Sequence, residues 1–311
     1  MAHRPQARKP GFMARRQAGI PRPRTPTIQH RGQTHLTVMN NELWFGDGPP
    51  SLGKAFTAAE TAKRHTLVIG LLYRAAKKAA KAKDTKLHDA YGDLADKLYH
   101  CKPKARCGSL ACPQCARAFQ KAKVSAQQTV ITDLAADRSD KTLVFVSVVP
   151  KGMTYNPGKF SSIDIAKANR WLKDALKPIG TNRPIMGSAD LGWESRRGGQ
   201  YLQLHWHLAL WTNDPDQLDV KLKEIFQRTQ KHERPVDVTE AMDLGFLPYQ
   251  NKAIKLPDLL RRNRKNLPEL FLVLDQTDPM DLMVMMKLRL SAQDGTLTIS
   301  RVVKPTNKSK M

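Results

Sequence analysis

The stretch Leu202-Gln203-Leu204-His205-Trp206-His207-Leu208-Ala209-Leu210 alternates large apolar side chains with polar or small ones. Successive side chains of a β-strand point to opposite faces, so the leucines and Trp206 share one face of the predicted strand. Gln203, His205, His207 and Ala209 share the other. The pattern predicts a strand that packs helices on its apolar side and presents two imidazoles on its polar side, about 7 Å apart along the strand.

The segments around this strand predict an α+β domain with the element order βαββαβ. Residues 142–149 are rich in β-branched side chains and end at Pro150, as expected of a buried strand. The other elements are predicted as a helix at 162–178, strands at 184–194 and 200–211, a helix at 215–229 and a strand at 235–240. This order favours an antiparallel, ferredoxin-like sheet with both helices on one face and the other face left open. Beyond it we predict helices at 246–255 and 281–290 and a last strand at 296–303.

The composition divides the chain into three regions. Residues 1–41 contain no acidic residue and many arginines and prolines, which predicts a disordered basic arm over 1–45. Residues 46–140 have helical periodicity interrupted by a cysteine cluster, and residues 141–304 form the sheet domain with C-terminal helices. The net charge of +24 predicts a polyanionic partner. No apolar run is long enough for a bilayer span and no signal peptide is apparent, so we expect no membrane partner and a cytoplasmic location.

All four cysteines fall within fifteen residues, in the spacing C-x5-C-x4-C-x2-C. A reducing compartment disfavours disulfides, and four thiolates complete a tetrahedral Zn²⁺ shell with no position left for a substrate. We therefore predict a structural zinc site, with ligands from elsewhere or a reduced unliganded cluster as the alternatives. The predicted ligands are Cys101, Cys107, Cys112 and Cys115.

The two imidazoles need an oxygen donor to complete a metal site. A hairpin turn around residues 196–199 would lay Glu194 or Asp190 of the preceding strand near His205 and His207, and Glu194 is the preferred ligand. A site of two histidines and one carboxylate with open positions suits Mg²⁺ or Mn²⁺ bound to a phosphate. The alternative is that both histidines are ordinary residues satisfied by hydrogen bonds.

Several of these motifs, in their order and spacing, resemble those of HUH endonucleases, in particular rolling-circle replication initiators. The resemblance covers residues 140–258 and rests on the strand at 142–150, the Gly-Trp-Glu-Ser around Glu194, the His205-Trp206-His207 triplet and the later Tyr249-Gln250-Asn251-Lys252. It implies a metal-dependent, site-specific single-strand DNA endonuclease and strand transferase. The implied reaction links a 5′ phosphate to a tyrosine and frees a 3′ hydroxyl that primes plasmid replication.

Tyr249 is the candidate nucleophile because it follows the sheet and precedes Lys252 by three residues. A phenol with a pKa near 10 needs a metal or a cation to favour its phenolate, and Lys252 could supply that charge or hold the phosphate. The alternatives are an aromatic packing role for Tyr249, and Tyr201 as a second tyrosine lining the site. Some initiators carry a glutamate one helical turn before the tyrosine, whereas this sequence has Gly245 there, which leaves the termination step open.

The expected partners are duplex and single-stranded origin DNA and a host helicase. The basic arm and the helical region 46–140 are predicted to bind the duplex, and the open face of the sheet is predicted to take the single strand. Basic residues of the arm and of a late basic stretch are the candidate phosphate contacts: Arg15, Arg16, Arg22, Arg24, Arg261 and Arg262. Two alternative functions remain at this stage. One is an HUH transposase or mobilisation relaxase with the same chemistry, and the other is a non-enzymatic, zinc-containing nucleic-acid-binding protein.

Overall fold

An antiparallel sheet with helices on both faces organises the computed structural model, which describes residues 57–138, 140–180, 183–196, 199–226, 234–252, 264–293 and 296–302. The helices are α1 (Ala58–Lys81), α2 (Thr85–Tyr99), α3 (Pro113–Ala136), α4 (Ile165–Ala175), α5 (Lys177–Gly180), α6 (Pro215–Ile225), α7 (Leu247–Gln250) and α8 (Leu267–Gln276). The strands are β1 (Thr142–Val148), β2 (Thr154–Tyr155), β3 (Ile185–Arg196), β4 (Gly199–Thr212), β5 (Val236–Glu240), β6 (Met283–Met286), β7 (Leu288–Gln293) and β8 (Thr296–Arg301).

The main sheet has the strand order β5-β1-β4-β3-β6, and short β2 also pairs with β4. Every neighbouring pair in it is antiparallel. The predicted α+β class and antiparallel sheet are therefore confirmed. The four strands predicted between residues 142 and 240 correspond to β1, β3, β4 and β5, and β4 lies at the centre of the sheet with β1 and β3 on either side.

The leucine face of β4 packs against α4 and α6, as its alternation predicted. Leu204 and Leu208 share a buried core with Leu172 of α4 and Leu222 of α6. On this face the indole N–H of Trp206 donates to Oδ1 of Asn169 on α4, at 2.6 Å. Because this hydrogen bond satisfies the only polar atom of the buried tryptophan, it fixes Trp206 on the helical side and directs its histidine neighbours to the opposite side.

The histidine face is covered, contrary to the prediction that it is left open. A second core joins α3, the sheet, α7 and the β7–β8 hairpin there, with Leu134, Met186, Leu247 and Leu297 among its buried members. The covering helix α3 comes from the region that precedes the sheet in sequence. The histidines therefore lie in a partly enclosed layer rather than on an open surface.

The helical prediction for the region before the sheet is confirmed from Ala58 onward. Helix α1 begins after Thr57, whose hydroxyl accepts a hydrogen bond from the backbone N–H of Glu60, a typical N-cap. Buried residues of α1, α2 and the start of α3 belong to the same core as the leucine face of the sheet. The predicted basic arm at 1–45 lies outside the described residues.

The helix predicted at 281–290 is wrong. That segment forms β6, which pairs with the outer strand β3, and then β7, which pairs with β8. Lys287, with a φ of 59°, separates β6 from β7. A short apolar run such as Met283–Met286 does not distinguish a strand from a buried helix by periodicity, and helix α8, another apolar run, was not predicted. Within the described part of the chain, no helix is both long and apolar enough to span a membrane.

Candidate active site

Antiparallel pairing of β3 with β4 brings one carboxylate to the two histidines. Asp190 is register-paired with His205, and Ser188 with His207, so these four side chains lie on one face of the sheet. Oδ2 of Asp190 is 3.3 Å from Nε2 of His205 and 3.8 Å from Nε2 of His207. Both imidazoles therefore direct the same nitrogen to one buried carboxylate oxygen.

The other ring nitrogens of the two histidines are held by hydrogen bonds. Nδ1 of His205 lies 3.2 Å from the backbone oxygen of Gln203, which can only accept, so Nδ1 donates. Nδ1 of His207 lies 3.0 Å from Oγ of Ser147 on β1. Such bonds fix the ring orientation and leave an Nε2 lone pair for a metal, as in many protein metal sites.

Burial strongly affects the pKa values of Asp190 and His207. Asp190 is fully buried, and His207 is 2% exposed. Burial alone raises the pKa of Asp190, but the adjacent His205 and His207 outweigh it and hold the pKa well below its usual value. Burial lowers the pKa of His207, against the opposing effect of Asp190. A carboxylate beside a neutral imidazole is the protonation state that binds a cation.

The donor atoms of this group fit a metal ion. Both carboxylate oxygens of Asp190 and Nε2 of His207 are buried and have no hydrogen-bond partner among the described residues. The potential ligand atoms of Asp190, His205 and His207 all lie within 4.8 Å of one another. Buried polar atoms are costly unless they are paired, so a cation at this point would satisfy several of them together.

The structure places Asp190, and not the preferred Glu194, against the two imidazoles. Glu194 is exposed and is register-paired with Tyr201, four residues further along the hairpin. Gly192 lies between the two acidic residues on the same face, and a Cβ there would come within 3.0 Å of Cε1 of His205. The assignment of Glu194 as a ligand is corrected because the hairpin register, which the sequence left open, aligns Asp190 with His205.

Tyr249 lies beside the histidines, as expected of the candidate nucleophile. Its ring centroid is 4.7 Å from that of His207, and its side chain is 46% exposed. The ring of Phe145 on β1 stacks on His207 at 5.5 Å and meets Tyr249 edge-on at 5.9 Å. The phenol therefore stands between the buried imidazoles and solvent. Tyr201, the other candidate, lies at the far end of the hairpin.

Buried amide side chains hold the short helix that carries Tyr249. Nε2 of Gln120 on α3 donates to the backbone oxygen of Pro248 at 2.9 Å, and Nε2 of Gln250 donates to that of Met186 on β3 at 3.0 Å. Nδ2 of Asn251 donates to Oε1 of Gln127 on α3 at 2.7 Å. Helix α7 is thus fastened on both sides of Tyr249, as a reacting group requires.

Two lysines carry positive charge into the region. Nζ of Lys252, just after α7, lies 2.9 Å from the ring centroid of Tyr249, within the range of a cation–π contact. Lys123 on α3 is fully buried, and its Nζ donates to Oγ of Ser188 at 2.9 Å. Burial lowers the pKa of Lys123 to about 7, although Asp190 opposes the change. Lys252 was predicted, whereas nothing in the sequence distinguishes Lys123 from the other lysines of α3.

The four cysteines converge at the junction of α2 and α3. Sγ of Cys101 is 3.5 Å from Sγ of Cys115 and 3.6 Å from Sγ of Cys112, and Sγ of Cys107 is 3.6 Å from that of Cys115. All four are free thiols. The neighbouring thiols, Cys107 foremost, lower the pKa of Cys101 well below its usual range. Several thiolates so close together would repel one another unless a cation lay among them, so this group could also hold a metal ion.

The six arginines predicted to contact DNA lie outside the described residues. They are Arg15, Arg16, Arg22, Arg24, Arg261 and Arg262.

Comparisons with known proteins give no relative. No protein-family model, no curated protein and no solved structure matches the chain.

Proposed function

We propose that the chain is a DNA-nicking enzyme of the HUH class that initiates rolling-circle replication, with Tyr249 as nucleophile and Asp190, His205 and His207 as ligands of a divalent ion. The observation that carries this proposal is the 4.7 Å separation between the rings of Tyr249 and His207. It sets a solvent-accessible phenol beside a buried group of potential metal ligands. In the sequence the two are more than forty residues apart.

The arrangement of the strands supports the finer fold assignment. With β2 and β6 set aside, the order β5-β1-β4-β3 is that of a split βαβ sheet, with α4 and α6 as its two crossover helices. On this proposal the domain is ferredoxin-like and HUH-type, extended by β6 at one edge and covered by α3 on its catalytic face. The histidines then lie on the central strand of the sheet, with strands paired on both sides of it.

The protein's own residues would fix the geometry of the reaction. His205 and His207 hold Nε2 toward the ion because Gln203 and Ser147 engage their other nitrogens, and Asp190 contributes the negative charge. Mg²⁺ or Mn²⁺ at this place supplies the charge that polarises a scissile phosphate. Helix α3 and α7 limit access of water to the buried side of the site.

Tyr249 would then carry the covalent step. Its phenolate oxygen attacks the phosphorus, the bond from phosphorus to the 3′ oxygen breaks, and a 5′-phosphotyrosine forms. The phenol proton passes to solvent, to which Tyr249 is open, and the leaving 3′ oxygen takes a proton from water. The ammonium of Lys252 lies over the tyrosine ring and offers a contact for the phosphate.

The cysteine group is proposed to hold a structural Zn²⁺. A tetrahedron with Zn–S bonds of about 2.3 Å has sulfur–sulfur edges of about 3.8 Å, close to the distances of 3.5 and 3.6 Å between these thiols. The four sulfurs fill such a shell, so the ion would be closed to substrate. It would join the end of α2 to the start of α3.

The experiment that tests the proposal compares wild type with the Tyr249→Phe and Tyr201→Phe variants. Each is incubated with supercoiled plasmid carrying candidate origin DNA and Mn²⁺, and open circles and covalently attached protein are measured. We expect wild type and Tyr201→Phe to nick and form the adduct, and Tyr249→Phe to bind DNA without cutting it. Nicking by Tyr249→Phe would refute the assigned nucleophile. DNA binding without cutting by wild type would indicate a non-enzymatic binder instead.

A further inference from the structure

The second half of α1 presents a continuous basic face to solvent. Its members are Arg74, Lys77, Lys78 and Lys81, all exposed, and we call them the α1 basic face. The spacings of three and four residues place them on one side of the helix. The side of α1 turned to the core carries the buried residues Val68, Leu72, Ala76 and Ala79. The basic face therefore points directly away from the protein.

The charges of this face are not balanced within the described part of the chain. None of its four cations forms an ion pair with a described residue, whereas Lys63 and Arg64 at the other end of α1 are paired with Glu60. Cations three and four positions apart on a helix repel one another. The helix dipole eases this for Lys78 and Lys81 in the last turn, but it does little for Arg74 and Lys77. A polyanion lying along the face would relieve the repulsion.

We propose that the α1 basic face binds the phosphate backbone of duplex DNA. It spans about 10 Å from Arg74 to Lys81 at 1.5 Å per residue, a length that covers several consecutive phosphates along a duplex. Lys83 and Lys86, also exposed, extend the positive charge past the end of α1. The inference rests on the proposed function in taking DNA as the substrate. It adds a site for the uncut duplex that is separate from the tyrosine and its metal ligands.

A variant with all four cations of the face changed to glutamine tests this proposal, because glutamine removes the charge and has a similar helix propensity. Binding of a fluorescent 20-bp duplex is measured over a series of NaCl concentrations. The control removes four exposed or partly exposed cations from the helices on the leucine face of the sheet: Lys167→Gln, Arg170→Gln, Lys173→Gln and Lys221→Gln. Circular dichroism checks that both variants fold.

We expect the α1 variant to bind the duplex at least roughly tenfold more weakly at low salt. The slope of the logarithm of its binding constant against the logarithm of the NaCl concentration should be shallower by about 0.9 for each phosphate that the variant no longer neutralises. The control should stay near wild type. Equal weakening of the control would overturn the proposal, because the effect would then reflect net charge alone. Binding of both variants to anionic phospholipid vesicles is measured in parallel. An α1 variant that binds the duplex normally would overturn the proposal, even if its binding to the vesicles were abolished.

Cleavage of a single-stranded origin oligonucleotide separates this inference from the proposed function. The α1 variant should cut such a substrate as wild type does, because the face lies outside the catalytic group. If wild type cuts no DNA, the proposed function fails while the duplex measurement still decides the inference. If wild type cuts and the duplex binding is unchanged in the variant, only the inference fails.

Discussion

Replacing Lys123 by methionine should make the protein more stable at mildly acidic pH. The Lys123 side chain is fully buried on α3, with Ser188 as the hydrogen-bond acceptor of its ammonium group. Methionine has a similar length and flexibility but no charge to desolvate. Asp190 would keep His205 and His207 beside it at 3.3 and 3.8 Å.

The magnitude follows from the pKa of Lys123, which burial lowers from 10.5 to about 7. At 1.36 kcal/mol per pKa unit, keeping this group charged in the folded protein costs about 5 kcal/mol below pH 7. The variant loses the hydrogen bond that Ser188 accepts, while the Ser188 hydroxyl still donates to the backbone oxygen of Ala189, and the loss of this buried bond costs about 1–3 kcal/mol. The net gain at pH 6 is therefore about 2–4 kcal/mol in the free energy of unfolding.

The pH dependence has a definite sign. Between pH 7 and 10.5 the unfolded chain binds the Lys123 proton and the folded protein does not, so wild-type stability gains from this group as the pH rises. The variant lacks that gain, and its advantage should shrink toward pH 10.

Urea unfolding of the two proteins without added metal, at pH 6 and at pH 9.5, measures both effects. The exposed Lys177, whose side chain is 71% accessible, provides the control Lys177→Met. Parallel pH profiles for wild type and Lys123→Met would refute the reasoning, because they would mean that Lys123 is not desolvated in the folded protein.

Three further predictions concern the two groups of potential metal ligands and α7. Asp190→Asn should weaken Mn²⁺ binding at least about tenfold while preserving the fold, because it removes the only negative charge among the three proposed ligands. Isothermal titration calorimetry measures the Mn²⁺ affinity. Cys112→Ser, at a fully buried position, should abolish the proposed zinc binding, measured by elemental analysis, and lower the melting temperature. Asn251→Ala breaks the hydrogen bond to Gln127 and so loosens the helix that carries Tyr249, without removing a phosphate contact. It should therefore lower kcat for single-strand cleavage and leave the DNA affinity unchanged.

The sheet and the histidine pair were predictable because one strand carries an unambiguous pattern. From Leu202 to Leu210 every second residue is apolar, and the structure buries those leucines and Trp206 on the helical side. Period-two alternation decides both the secondary structure and the face of each side chain. The position of Tyr249 beside His207 was anticipated only through the family resemblance, since no local pattern joins residues so far apart in sequence.

The choice between Asp190 and Glu194 as the proposed metal ligand shows what a local sequence pattern does not predict. Asp190 and Glu194 lie on the same face of β3, so alternation does not separate them, and only the register across the hairpin does. That register depends on the turn, for which the sequence between Arg196 and Gly199 gave no unique geometry. Burial also separates them, because Asp190 is inaccessible and Glu194 is exposed. Burial depends on α3, which comes from a distant part of the chain.

Helix α3 contacts three groups that lie far apart in the sequence: the cysteines, the residues around the histidine pair and the segment that carries Tyr249. It begins at the cysteine group, with Cys112 as its N-cap and Cys115 in its first turn. Further along, Lys123 reaches Ser188 behind the proposed metal ligands, and Gln120 and Gln127 hold the segment that carries Tyr249. A shift of this helix would therefore move Tyr249, the proposed nucleophile, relative to the imidazoles, which remain fixed on the sheet. An ion among the cysteines would stabilise the start of α3 and, through it, the distance between the phenol of Tyr249 and the proposed metal ligands.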